Sequence, residues 1–128
     1  MKTRIEIIEE TVNAYTLNTR SVNKYGKPMY NGPNNNHCAI GRITIDPANT
    51  LKDEERHFCD SVIMRKGMEI LLEEYRGHPL EFYLNIQSLH DHKVYWNETG
   101  LSERGKDQTE YLKKVWNVRA PKKNKRLS

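Results

Sequence analysis

The chain has little cysteine, little phenylalanine and no long apolar run, and each shortage removes a class of protein. Only two cysteines, Cys38 and Cys59, occur in 128 residues. Two thiols cannot build the multi-bridge framework of a small secreted domain, so they read as free thiols of a reducing cytosol. No stretch is apolar enough to cross a bilayer, and Met1-Lys2-Thr3-Arg4-Ile5-Glu6 opens a charged amphipathic segment where a signal peptide would be apolar. We therefore expect a cytoplasmic protein with no membrane partner. Gly26, Gly32 and Gly41 fit neither G-x-x-x-x-G-K-S/T nor G-x-G-x-x-G. No cofactor is expected.

What is present suits one modest core. With 36 % hydrophobic and 30 % charged side chains, the length fits a single compact domain. We place it at residues 1–117 and read 118–128 as a basic flexible tail. Basic charge gathers at that end: Lys113, Lys114, Arg119, Lys122, Lys123, Lys125 and Arg126 are the seven cations of residues 113–128, which contain no acid. The chain has 21 basic and 17 acidic residues, so the remainder holds 14 against 17. Its body is thus slightly acidic and its end strongly basic. Such an end attracts phosphates or an acidic protein face, and salt weakens the attraction.

Helical spacing dominates the pattern. Thr3 and Glu6 form a capping box, followed by an apolar stripe of Ile5, Ile8, Val12 and Tyr15. Turn formers then fill residues 18–36, around a short Met29-Tyr30 segment, which predicts a hairpin-like excursion. Residues 37–45 read as its returning strand through Ile43, Thr44 and Ile45, with a tight helical turn at Cys38-Ala39-Ile40-Gly41 as the alternative. A short charged helix is expected at 51–57, and a buried helix at 61–75 that bends near Gly67. Pro79 suits the first turn of the next helix, which carries Phe82, Ile86 and Leu89 on one face. Ser102 caps the last, with Leu112, Val115 and Trp116 as its inner edge. The expected class is α+β: a mainly helical single domain with a small β-hairpin-like element at 28–45.

Three stretches stand out together: Arg20-Ser21-Val22-Asn23 leading to Met29-Tyr30; His37-Cys38-Ala39-Ile40-Gly41-Arg42; and Gln87-Ser88-Leu89-His90-Asp91 with Trp96-Asn97 and Gly100-Leu101-Ser102-Glu103-Arg104-Gly105. They resemble a group of small, functionally uncharacterised proteins of tailed bacteriophages and bacteria. The resemblance spans roughly residues 5–115 and implies a bacterial cytoplasm, that of the host cell if the chain is phage-encoded. It implies no activity, so it transfers no catalytic residue. The basic tail lies outside it.

Several constellations invite chemistry. His90-Asp91-His92, with His78 upstream, offers metal-ligand types. On one helix, however, ligands two residues apart point about 200° from each other, so we assign no metal site. Cys38, His90 and Asp91 are the candidate nucleophile, base and orienter of a Cys- or His-dependent hydrolase, or of a metal-assisted nuclease. Nothing near Cys38 activates a thiol, and no catalytic residue is assigned. Tyr25, Tyr30, Tyr95 and Trp96, if exposed beside Arg20, Lys24, Lys27 or Lys93, are suited to stacking on bases or anchoring a protein; core packing is the competing use. The expectation is a non-enzymatic binding or regulatory protein with a protein partner in a bacterial host. The hydrolase or nuclease is the alternative, as is sequence-independent nucleic-acid binding through the seven tail cations.

Overall fold

The computed structural model describes residues 1–32, 36–47 and 62–117. Five helices lie within them: α1 (Arg4–Asn13), α2 (Ala39–Arg42), α3 (Val62–Lys66), α4 (Leu80–Asp91) and α5 (Glu103–Trp116). A two-stranded antiparallel hairpin, β1 (Trp96–Asn97) and β2 (Gly100–Leu101), pairs Trp96 with Leu101 and Asn97 with Gly100. The class is mainly helical α+β. No helix among the described residues is long and apolar enough to cross a membrane.

α1 starts where the capping box puts it. The Glu6 amide donates to Thr3 Oγ1 (3.1 Å), and the Thr3 amide donates to Glu6 Oε1 (2.8 Å). Its buried residues are Ile7, Ile8 and Thr11, while Ile5 and Val12 of the expected stripe are only half-buried. The difference follows from packing, because α1 lies against both α4 and α5 and so presents two faces. Thr11 fits inside because its hydroxyl donates to the Ile7 carbonyl (2.8 Å).

α4 is the central element, packed against α1, α2 and α5. Phe82, Tyr83, Ile86 and Leu89 on it are buried, each worth about 1.5–3 kcal/mol of transfer free energy. Tyr83 keeps its hydroxyl satisfied by donating to the Tyr75 carbonyl and accepting from the His78 amide. α5 begins at Ser102, whose hydroxyl accepts from the Gly105 amide (3.1 Å). Its inner edge is Gly105, Thr109 and Leu112, with Trp116 half-buried. Val115, expected inside, is exposed. Gly105 shifts that edge: a Cβ there would overlap the Tyr95 carbonyl oxygen, so the helix approaches the preceding turn through its bare backbone.

The hairpin is not where the turn residues placed it. Among the described residues of 28–45 there is no ladder; single bridges join Val22 to Pro28 and Asn31 to His37. Residues 39–42 form α2, the helical turn, and not a strand. Two side chains decide this: Cys38 Sγ accepts from the Gly41 amide (3.3 Å), and Gln87 Oε1 on α4 accepts from the Ile40 amide (2.9 Å). Of the β-branched residues beyond, Ile43 caps the helical turn with φ −104° and ψ 11°, and Thr44 bridges Leu71 and not the 28–30 segment. The expected helix over 61–75 is cut at Gly67, whose φ of 89° ends α3. Short 3-10 turns at Met68–Ile70 and Glu73–Tyr75 follow. The helix expected at 51–57 lies outside the described residues.

Candidate binding cleft

Between α1 and α2 the chain runs past the C-terminal end of α4, and a buried polar network fixes the two together. His90 is fully buried. Its Nε2 faces the Ser21 amide at 3.0 Å and its Nδ1 faces Asp91 Oδ1 at 2.8 Å. A backbone amide can only donate, so Nε2 accepts and the proton sits on Nδ1, donated to Asp91. Asp91 Oδ1 also accepts from Gln87 Nε2 (2.6 Å), and Gln87 in turn holds α2 through the Ile40 amide. The Tyr15 ring meets the His90 ring edge-on at 4.8 Å.

Arg20 completes the junction. Its Nη1 donates to the carbonyl oxygens of His90 (3.3 Å) and Asp91 (3.1 Å), and its Nε donates to that of Leu17 (3.4 Å). A cation at the carbonyl end of a helix is favoured by the helix dipole, which compensates part of the cost of burying it. The residue is only 7 % exposed. Burial pushes the guanidinium pKa down, and the attraction of the Asp91 charge offsets part of that. Nη2 makes no hydrogen bond to any described residue.

The next residues turn sharply. Asn23 Oδ1 accepts from the amides of Tyr25 (2.8 Å) and Lys27 (3.0 Å), and the Gly26 amide donates to the Asn23 carbonyl (2.9 Å). Gly26 supplies the positive φ of 83° that closes this turn. Its apex presents Tyr25 at 82 % exposure, with Lys24 Nζ 5.2 Å from the ring centroid. Lys93 stands in the 3-10 turn that follows α4. These parts surround an open cleft of about 560 Å³ lined by Arg20, Lys24, Lys93, Tyr25 and Asn18, Asn23 and Asn36, among others. Three cations and no carboxylate line it among the described residues.

The residues singled out as catalytic candidates meet only in part. His90 and Asp91 touch, but both ring nitrogens of His90 are occupied inside the fold, and neither is open to a substrate proton. Cys38 is buried, and its sulfur serves as the N-cap of α2. Among the described residues no three His, Cys, Asp or Glu side chains stand close enough to hold a metal ion. Of the aromatics, Tyr30 and Trp96 belong to the core, Tyr95 is half-buried, and Tyr25 alone of the four is exposed. Lys113 pairs with Glu9 on α1 (3.2 Å), and Lys114 is exposed. Arg119, Lys122, Lys123, Lys125 and Arg126 lie outside the described residues.

From the sequence, Arg20, Lys24 and Lys93 stand out as neighbours of aromatics and residues 18–36 as turn formers, but neither the role of the Asn23 side chain in the turn nor that of Gln87 is singled out. The turn had a legible signal, since Asn at the first position and Gly at the fourth is the pattern of an Asx-supported turn. The contact of Gln87 with α2 had none, because Ile40 lies 47 residues away in the chain. No family model, no curated protein and no solved structure matches the chain.

Proposed function

We propose that this is a small non-enzymatic binding or regulatory protein that acts by docking its cleft face, Arg20, Lys24, Tyr25 and Lys93, against an anionic macromolecular partner. The observation that carries the reading is the pairing of three cations with an exposed, turn-held aromatic at one concave place. Exposed aromatic and basic side chains beside a cleft are the groups that dominate binding energy at recognition surfaces. The competing hydrolase reading needs His90 as a base, and its nitrogens are committed to Ser21 and Asp91. The motifs that resemble phage and bacterial proteins add the setting: a bacterial cytoplasm and a host protein or nucleoprotein as target. The basic residues beyond Asn117 would contribute a second, sequence-independent attraction.

Affinity capture from a bacterial lysate tests the reading, with the wild-type chain, a Lys24→Glu/Lys93→Glu variant and a chain truncated after Asn117 run in parallel. Retention of a macromolecule by the wild type and by the truncated chain, but not by the charge-reversed variant, is the expected result. If retention follows the tail and ignores Lys24 and Lys93, the cleft is not the binding face.

A further inference from the structure

Three features of the cleft bear on what kind of anion it takes. Tyr25 is held outward by a turn with four internal hydrogen bonds, and at 82 % exposure its ring has a face open to solvent. An aromatic ring fixed this way gains little from a carboxylate but stacks on any flat π-face. Arg20 is a desolvated guanidinium whose Nε and Nη1 are clamped by carbonyls, while Nη2 has no described partner. Its one uncommitted nitrogen, held in place by those clamps, can give a phosphate a single charge-assisted hydrogen bond. Asn18 and Asn36 line the same space and carry both donors and acceptors, as base edges require, while Asn23, its Oδ1 taken by the turn, adds a donor. About 560 Å³ falls within the range of a small-molecule site and is far too little for a duplex.

We propose that the cleft binds an unpaired nucleotide unit, with its phosphate among Arg20, Lys24 and Lys93 and its base stacked on Tyr25. The inference rests on the reading of the cleft as the binding face, and it narrows the ligand to a base with a phosphate attached. A paired base is already stacked inside its duplex and cannot reach Tyr25, so single strands are preferred over double strands. Every base has a π-face, so little sequence preference is expected. A single-stranded unit and a free nucleotide share this chemistry, and size of ligand separates them.

Fluorescence anisotropy with the full chain and a labelled single-stranded oligothymidylate is the test, with duplex DNA, thymidine monophosphate and inorganic polyphosphate as competitors. Tyr25→Ala should weaken oligonucleotide binding at least about fivefold while leaving the thermal midpoint unchanged, because the ring is exposed. Lys24→Gln/Lys93→Gln should weaken it too and flatten the salt dependence; one neutralised phosphate at the cleft contributes a slope of about −0.7 in log K against log salt on a single strand. Competition by the monophosphate identifies a free nucleotide as sufficient, and competition by the oligomer alone identifies a strand. Both support the proposal. If polyphosphate competes as well as the oligonucleotide and Tyr25→Ala loses nothing, the nucleotide proposal is overturned while the cleft stands as a polyanion site. If neither the Tyr25 nor the lysine variant changes any affinity, both the proposal and the reading beneath it fall.

Discussion

Replacing His90 by leucine keeps the buried volume and removes both ring nitrogens, which makes it a direct probe of the junction under the cleft. The Ser21 amide is itself buried and would lose its acceptor, a cost of about 1–3 kcal/mol. The bond to Asp91 involves a carboxylate and is worth about 1.5–3 kcal/mol. Part of that is recovered, because the Asp91 side chain is 21 % exposed and keeps its bond from Gln87. The expected loss is about 3 kcal/mol, a large share of the roughly 5–15 kcal/mol that stabilises a domain. At about 4 °C per kcal/mol for a chain of this size, the midpoint should fall about 12 °C. His90→Gln restores an acceptor for the Ser21 amide without the Asp91 bond, and should lose about half as much. Urea and thermal denaturation read both variants, and hydrogen exchange at the Ser21 amide should accelerate in the leucine variant first. Unchanged stability in His90→Leu would refute the assignment of Nε2 and Nδ1 to these partners.

Three further outcomes are expected. Burial holds the His78 imidazole below its ordinary 6.5, against a smaller opposing effect of its bond to the Lys2 carbonyl. The unfolded chain therefore takes up the proton first, so stability is complete above about pH 6.5 and declines below it. His78→Gln, which retains a donor for Lys2, should flatten the decline between about pH 7 and 5 in denaturant titrations; an unaltered slope would assign the decline to other groups. Gly105→Ala places a Cβ against the Tyr95 carbonyl and should cost about 1–3 kcal/mol despite alanine's better helix propensity, a sign that urea unfolding reads directly. In a Cys59→Ser background, Cys38 should resist alkylation until the chain unfolds, and rapid native-state modification would revive thiol chemistry.

Local signals carried the helix ends. Thr3 with Glu6 and Ser102 with the Gly105 amide are short-range hydrogen bonds, so the starts of α1 and α5 could be read from neighbouring letters. The helical turn at residues 39–42 could not be read this way, because the choice between strand and helix there rests on Gln87, 47 residues from Ile40, which supplies an acceptor that no local pattern announces. The face of α5 was misjudged for a similar reason: Gly105 counts as no hydrophobe, yet its lack of a side chain is what sets the contact with Tyr95. Around the cleft, His90 and Asp91 drew notice as reactive types, and their role in the fold is to hold Ser21 and Arg20 in place. Arg20 and Lys93 are separated by most of the domain in sequence, so only folding brings them to one site.

The cleft between the 17–26 segment and the end of α4 is the proposed binding face. Amide chemical-shift mapping during titration of the ¹⁵N-labelled full chain with the single-stranded oligonucleotide tests it most directly. Saturating shifts are expected at Asn18, Arg20, Lys24, Tyr25, Gly26, Asn36 and Lys93, with α1 and the inner edge of α5 unmoved. Shifts confined to the residues beyond Asn117, with the cleft amides silent, would contradict it.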